Sequence, residues 1–333
     1  MQTTQAETQA AAGAGTLSLL VRQIRFEAAG INSYELVDPN GAELPPFDAG
    51  SHLDIHLPNG VVRQYSLCNP PSERHRYVIA VLRDDKGRGG SKALHDILHV
   101  QDIVTVSVPR NHFKLAQSGT QLGKVILLAG GIGVTPIKSM AHALDEAGVP
   151  FDLHYCARDK STAAFADTLA GPWRHGSSFF HYDQGRPEQG LDIAGLLRQQ
   201  ADDAHLYYCG PAGFMNACAE ASSHWQPGTV HSEHFKAPAA PVSDIPAGSF
   251  IVRIASTGAD IAVGPDTSIA AALTAAGVFI PTSCEAGLCA TCKIGYLEGE
   301  VEHHDYILDD NEHQRYLTAC VSRAKSALLV LDL

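Results

Sequence analysis

The sequence has no apolar run approaching the ~20 residues that a membrane-spanning helix requires, and positive charge is scarce. Lysine and arginine number 24 against 36 acids, a formal net charge of -12. A surface of that sign repels phosphate backbones and argues against nucleic acid as a partner. Cysteine is sparse too: eight in 333 residues are too dilute for a disulfide scaffold, and such usage fits a reducing compartment, the cytoplasm. The opening stretch MQTTQAETQAAAGAGT has neither a basic start nor an apolar core, so residues 1–16 are expected to form a flexible tail rather than a signal or an anchor. No internal repeat is present. Against these absences stand 45% hydrophobic and 18% charged residues, the balance of a globular chain, and a length that calls for two or three domains.

Pattern divides the chain. Residues 17–117 carry short alternating stretches such as SHLDIHL and VVRQYSL between clusters of Pro, Gly, Asn and Asp, the reading of an antiparallel β-barrel. Residues 118–234 change character: KVILLAG is a continuous apolar run followed by a helix-like stretch to Ala147, and FDLHYCA, SFFHYD and HLYYCG repeat the buried-strand theme. Strands alternating with helices imply an α/β domain with a parallel sheet. Residues 235–247, within FKAPAAPVSDIPAGS, have no period and read as a linker. In residues 248–333, FIVRIAST and ADIAVG suggest a hairpin, and TSIAAALTAAG a short helix with a threonine cap and a glycine stop, an α+β module. The acids concentrate there: residues 244–333 hold 12 acids and five bases, a net of -7.

That last module contains CEAGLCATC. Cys284, Cys289 and Cys292 are spaced C-x4-C-x2-C, and Cys320 follows after 27 residues in YLTACVS. Four thiolates in this arrangement hold a 2Fe-2S cluster of the plant-ferredoxin kind. A structural zinc site would pair one C-x2-C knuckle with a second knuckle or a histidine pair, and Cys320 has no such companion. A Rieske centre would need two histidine ligands in matched motifs. Small residues in the loop, Ala286, Gly287, Ala290 and Thr291, let backbone N–H groups approach the sulfurs.

A cluster accepts one electron at a time, so the remainder of the chain should supply the source. In LLAGGIGVTPI a strand runs into Gly130, Gly131 and Gly133, which admit a ligand close to the backbone ahead of a helix N-terminus. Alone, such a turn is also what a tight strand-to-helix connection looks like. YYCGPAGF ends a later strand, and the two turns should meet beyond the carboxyl ends of the sheet. In the first domain, RQYSLCNP offers the planar fork of Arg63 for a phosphate, and GRGGSKALHD offers glycines before a helix start at Ser91 and Lys92. Taken by itself, Tyr65 in an alternating strand is a barrel-core residue.

The ordered set RQYSLCNP, GRGGS, AGGIGVTPI, YYCGPAGFM and CEAGLCATC…C closely resembles the phthalate dioxygenase reductase and vanillate O-demethylase reductase family, over nearly the whole chain from about Leu17. The resemblance implies a flavin-binding barrel, a nicotinamide nucleotide-binding domain of ferredoxin-reductase type and a C-terminal ferredoxin, together an NADH-dependent oxidoreductase that supplies a separate Rieske-type oxygenase. By matching position, Arg63, Tyr65, Ser66 and Leu67 would bind FMN, with Gly89, Gly90 and Ser91 at its phosphate. Gly130, Gly131, Gly133, Thr135, Pro136, Cys209, Gly210 and Pro211 would line the nucleotide site. Cys209 and Phe235, the latter in HSEHF, would stand next to the reacting flavin. FMN rather than FAD follows from the resemblance, and NADH rather than NADPH from Asp159 in CARDKS, which would accept from a ribose hydroxyl and repel a 2'-phosphate; Arg158 beside it pulls the other way. A reductase for another acceptor, or a non-catalytic flavin and iron–sulfur sensor, is the alternative.

Ala290 departs from the family pattern, which often has glycine there; should that position need a positive φ, alanine costs about 1 kcal/mol. The adjacent His303 and His304 in EVEHHDYI read as solvated surface. Glu298, Glu300, Glu302 and Asp305 are expected to help dock a basic oxygenase surface by charge steering.

Overall fold

The computed structural model describes residues 15–57, 60–87, 89–116, 123–201, 203–235 and 248–333. Of the linker expected at 235–247, all but Phe235 lies outside these, as does most of the tail expected at 1–16. The chain divides into two compact units, one through Glu233 and one from His234. No helix among the described residues is long and apolar enough to cross a membrane.

The first unit begins with an antiparallel sheet of β1 (Thr16–Ala28), β2 (Ile31–Val37), β3 (Ser51–His56), β4 (Val62–Ser66), β5 (Tyr77–Leu82), β6 (Ile103–Ser107) and β7 (Arg110–Asn111), with α1 (Gly90–Asp96) between β5 and β6. The strand order is β4-β3-β6-β1-β2-β5. A bridge from Leu67 to Ile79 joins the two ends and closes the sheet as a barrel. Leu19, Tyr34, Leu53, Ile55, Tyr77, Ile79 and Val106 fill it. On the other face of β3, polar His52 and Asp54 are buried as well. Their outward face is covered: Arg110 of β7 pairs with Asp54, and His52 meets Gln64 at 3.2 Å.

The second sheet comprises β8 (Val125–Gly130), β9 (Phe151–Ala157), β10 (Gly176–Tyr182), β11 (His205–Cys209) and β12 (Val230–Glu233), all parallel, in the order β10-β9-β8-β11-β12. The continuous apolar reading of KVILLAG has a direct cause: β8 is covered on both faces. Leu127 and Ala129 pack with α2 (Val134–Ala147). Leu128 packs with α4 (Ile193–Leu197) and α5 (Ala212–Ala221); the short α3 (Ala166–Leu169) follows β9. Strand order reverses between β8 and β11, the switch point at which open α/β sheets bind ligands. One core spans barrel and sheet, joining Ala49, Cys68 and Phe113 to Ile137 and Met140. The buried Lys138 donates to the Cys68 carbonyl at 2.8 Å and Ser139 to that of Asn69 at 3.0 Å, which pins α2 to the end of the barrel.

The second unit holds a mixed sheet of β13 (Phe250–Ile254), β14 (Asp260–Val263), β15 (Lys293–Glu298), β17 (Tyr316–Thr318) and β19 (Leu328–Asp332) in the order β14-β13-β19-β15-β17, plus a small pair of β16 (Val301–Glu302) and β18 (Arg323–Ala324). The expected hairpin is there, Phe250 opposite Val263. Helix α6 (Ile269–Ala275) buries Ile269, Ala272 and Leu273. Its cap is Ser268, which accepts from the Ala271 amide, and not the threonine before it; Gly277 follows at φ +84°. A single turn, α7 (Asp310–His313), precedes β17.

Candidate functional site

In the second unit the segment from Cys284 to Cys292 has no regular structure, because its backbone repeatedly enters the left-handed region: Glu285 at φ +50°, Gly287 at +71° and Ala290 at +53°. Gly287 is needed for a second reason, since a Cβ there would fall 2.8 Å from Asp305 Cα and Val321 Cγ2. The condition raised for Ala290 therefore holds, at a cost of about 1 kcal/mol. These turns aim the Ala286 and Leu288 amides at Cys284 Sγ, each at 3.4 Å. Cys320 follows β17, where the Ala319 amide bonds the Cys292 carbonyl at 3.0 Å. All four thiols thus converge: Cys284 is in hydrogen-bond contact with Cys289 and Cys320, and Cys292 with Cys320. Hydrogen bonds from Cys289 and Cys320, then from the Leu288 and Ala286 amides, hold the Cys284 thiol far below its usual range. An all-sulfur donor set with amides directed at it suits thiolate-bound iron.

The parallel sheet brings together the two glycine turns that the sequence separates by about eighty residues. A Cβ on Gly133 would lie 2.1 Å from the Cys209 carbonyl oxygen, and one on Gly210 would lie 3.1 Å from Gly130 Cα. Only glycine permits the turns after β8 and β11 to touch. Gly131 has open space but a φ of +52°. Thr135 is buried, its hydroxyl donating to the Ile132 carbonyl at 3.1 Å, and Pro136 is buried within α2. Pro211 precedes α5. Phe214 was not singled out from the sequence, although its ring lies against both Gly130 and Gly210.

Arg63 and the glycine loop also meet. Gly90 could not carry a Cβ, which would sit 2.5 Å from Arg63 Cγ, and Gly89 caps α1 at φ +83°. The Ser91 hydroxyl accepts from the Asp84 amide at 3.0 Å. Tyr65 is half-buried against the barrel core, and burial raises its pKa. Leu67 fits the set least well. It is fully buried in the barrel core with its amide bonded to Ser51, so it presents no side-chain atom to a ligand.

Between these two groups lies an acid that sequence reasoning missed. Ser66 Oγ donates to Glu233 Oε2 at 3.3 Å, and Glu233 at the end of β12 is the registered partner of Cys209. Desolvation by the surrounding protein raises the Glu233 pKa to about 8. Burial, then the nearby Glu233 charge, pushes the Cys209 thiol well above its usual range, so it stays a neutral S–H. Asp159 follows β9, next to β8, but its Oδ1 is engaged: it caps a turn by accepting from Ser161 and Thr162 amides at 2.8 and 3.2 Å. Phe235 belongs to the second unit and is 40% exposed.

Two expectations for the acidic module need correction. His303 is not solvated surface; its side chain is 18% exposed and its ring stacks on His313 at 4.0 Å. Asp305 cannot meet a partner protein, because its side chain is wholly buried. The fold turns both inward beside the cluster loop, where the Tyr306 amide bonds the Gly287 carbonyl at 3.0 Å.

Comparison with known proteins agrees with this chemistry. A family described as a 2Fe-2S iron-sulfur cluster binding domain matches residues 252–325. The chain is 50% identical to the tert-butanol monooxygenase / tert-amyl alcohol desaturase reductase subunit of Aquincola tertiaricarbonis, covering 95% of this chain and 96% of that one. It is 43% identical to a vanillate O-demethylase oxidoreductase of a Pseudomonas species, over 95% of this chain and all of the other. Among solved structures it is similar to phthalate dioxygenase reductase, described as a modular structure for electron transfer from pyridine nucleotides to a 2Fe-2S centre: 42% identity, TM-score 0.74, covering 96% of this chain and 98% of that one.

Proposed function

The chain belongs to the family of phthalate dioxygenase and vanillate O-demethylase reductases, and from that premise we propose that it passes electrons from NADH, by way of FMN, to its own 2Fe-2S cluster and on to a separate oxygenase. The observation that carries this reading is the meeting of Ser66, Cys209 and Glu233 where the glycine turns of the parallel sheet reach the barrel. A bound flavin supplies the conversion of a two-electron hydride into single electrons, which neither nicotinamide nor cluster can perform alone.

The chain's own residues position and protect. Arg63, its stem laid on Gly90, would hold the FMN phosphate with Gly89 and Ser91. Gly130, Gly131, Gly133, Gly210 and Pro211 would admit the nucleotide to the backbone, and Asp159 would favour NADH through the carboxylate oxygen that its cap leaves over. Neutral Cys209 fills the site without adding charge, while Glu233, protonated below about pH 8, can hold a proton against the Ser66 hydroxyl. Cys284, Cys289, Cys292 and Cys320 would hold the cluster. Phe235 is carried over from the resemblance alone as a proposed neighbour of the flavin. We assign residues 17–117 to FMN, 118–234 to the nucleotide and 248–333 to the cluster, and place the protein in the cytoplasm, where eight cysteines persist without forming disulfides.

Replacing Cys289 with serine tests the division. The variant should lose the visible iron–sulfur absorption and cytochrome c reduction yet still bleach its flavin with NADH. A folded, flavin-loaded variant that NADH no longer reduces would refute it.

A further inference from the structure

The cluster module contains a second group of ligand-type side chains, distinct from the cysteines. His303, Asp305 and His313 each present one ligand atom, and all three atoms lie within 4.8 Å of one another. His313 Nε2 is 3.2 Å from Asp305 Oδ2 and 3.3 Å from Oδ1. His303 Nδ1 is 3.8 Å from Oδ2. The carboxylate is held in place from behind, its Oδ1 accepting from the Leu308 amide at 2.9 Å.

Hydrogen bonding alone does not complete this group. A neutral His313 can donate to Asp305, but His303 Nδ1 is buried and has no hydrogen-bond partner. An orphaned buried nitrogen is costly, because nothing repays its lost hydration. A cation would engage both imidazole lone pairs and the buried carboxylate together. We propose that His303, Asp305 and His313 bind a divalent zinc ion, with water in the fourth position.

Two imidazoles and one carboxylate suit zinc better than magnesium or calcium, which prefer all-oxygen shells. Bonds of about 2.1 Å in tetrahedral geometry separate ligand atoms by roughly 3.4 Å. The His313 and Asp305 pair already stands near that separation, and His303 Nδ1, 3.8 Å from Asp305 Oδ2 and within 4.8 Å of the His313 ligand atom, must draw in to complete the set. The ion would clasp residues 303 and 313 about Asp305, whose Cα packs against Gly287 in the cluster loop. Its role is structural: it secures the segment that backs the loop.

The test uses the full chain loaded with flavin and iron. After removal of loosely bound metal, zinc ions alone are titrated while bound zinc and iron are counted by elemental analysis. One zinc per chain is expected in addition to two irons, with a rise in melting temperature. His303→Gln and His313→Gln should each weaken zinc binding by about tenfold or more. His154→Gln should not, although His154 and His181 form another close imidazole pair at 3.1 Å. A wild-type chain that retains its iron and takes up no zinc at about 100 µM overturns the proposal, as do glutamine variants that bind zinc like wild type. If those variants fail to load iron, carbethoxylation of the wild-type protein decides: zinc should slow modification of His313 but not of His304, and equal rates with and without zinc refute the site.

Discussion

The glycine turns proposed to admit the nucleotide and the cysteine loop proposed to hold the cluster both bring backbone segments close together, but they do so by different means. At the turns after β8 and β11, space is the constraint: Gly133 has an ordinary negative φ, yet a Cβ would lie 2.1 Å from the Cys209 carbonyl oxygen. In the cysteine loop, conformation is the constraint. Glu285 and Ala290 tolerate positive φ as side-chain-bearing residues, and only Gly287 is also blocked sterically. The first site is therefore built from packing between distant segments, and the second from local torsions that four metal–sulfur bonds would hold in place. Damage to the first should be structural and immediate; damage to the second should appear as loss of the cluster.

The sharpest way to break this comparison is Gly133→Ala. Its Cβ meets backbone rather than a flexible side chain, so β8 and β11 must separate, at a cost of about 3 kcal/mol or more. Thermal melting should show the first unit destabilised while the iron–sulfur absorption of the second persists. A melting temperature within about 2 °C of wild type would show that the packing argument fails.

Glu233 is next in expected effect. Its folded pKa, about 8, lies above the ordinary 4.5, so the native state keeps a proton that the unfolded chain releases. Stability should fall as pH rises from about 4.5 to about 8 and level off above, and Glu233→Gln should remove that slope. Should the proton also serve the reaction, the variant should lower NADH-to-ferricyanide turnover by about 10²-fold, and the wild-type rate should decline through pH 8. A variant whose stability profile keeps the wild-type slope would mean that another group titrates.

How far the sequence reveals these sites follows from the same contrast. Three of the four cluster thiols lie within nine residues, and a torsional loop keeps its ligands adjacent in sequence, so their spacing reads directly. The glycine turns were readable because each ends a continuous apolar strand. Glu233 was not: β12 is only VHSE, polar and short, and nothing local marks its last residue as the neighbour of Ser66, 167 positions earlier. Likewise, EVEHHDYI reads as charged surface because its inward turn is set by Gly287, whose missing Cβ leaves room for Asp305. In β3, too, the side chains of Arg110 and His112 lie against Asp54 and His52, contacts that local alternation does not reveal.

The cysteine loop supplies a finer contrast. Ala290→Gly should relieve the left-handed backbone at φ +53° and steady the loop by at most about 0.5 kcal/mol after glycine's added unfolded-state entropy is counted. Gly287→Ala should do the reverse and more strongly, since it adds a contact with Asp305 to the torsional cost. Both are read as the rate at which iron is lost to a chelator, slower than wild type for the first and faster for the second. Equal rates in the two variants would mean that ligand exchange, not loop conformation, limits cluster loss.

The smallest expected effect concerns docking. With Asp305 buried, the steering acids reduce to Glu298, Glu300 and Glu302, and Glu302 stands 3.6 Å from His304, which tempers its charge whenever that ring is protonated. Glu298 closes β15 and Glu300 follows it in an exposed turn, so these two carry most of the remaining argument. Contacts between redox partners are small and release quickly, which makes long-range attraction more useful than apolar area. Raising ionic strength from about 0.01 to 0.15 M shortens the screening length from roughly 30 to 8 Å. Transfer to the oxygenase should slow over that range, whereas NADH-to-ferricyanide turnover, which needs no protein docking, should change much less. Glu298→Gln with Glu300→Gln should flatten the salt response of the first rate only. If both rates respond equally to salt, or if the double variant transfers electrons to the oxygenase as wild type does at every ionic strength, the net charge of -7 over residues 244–333 serves solubility and does not steer the partner.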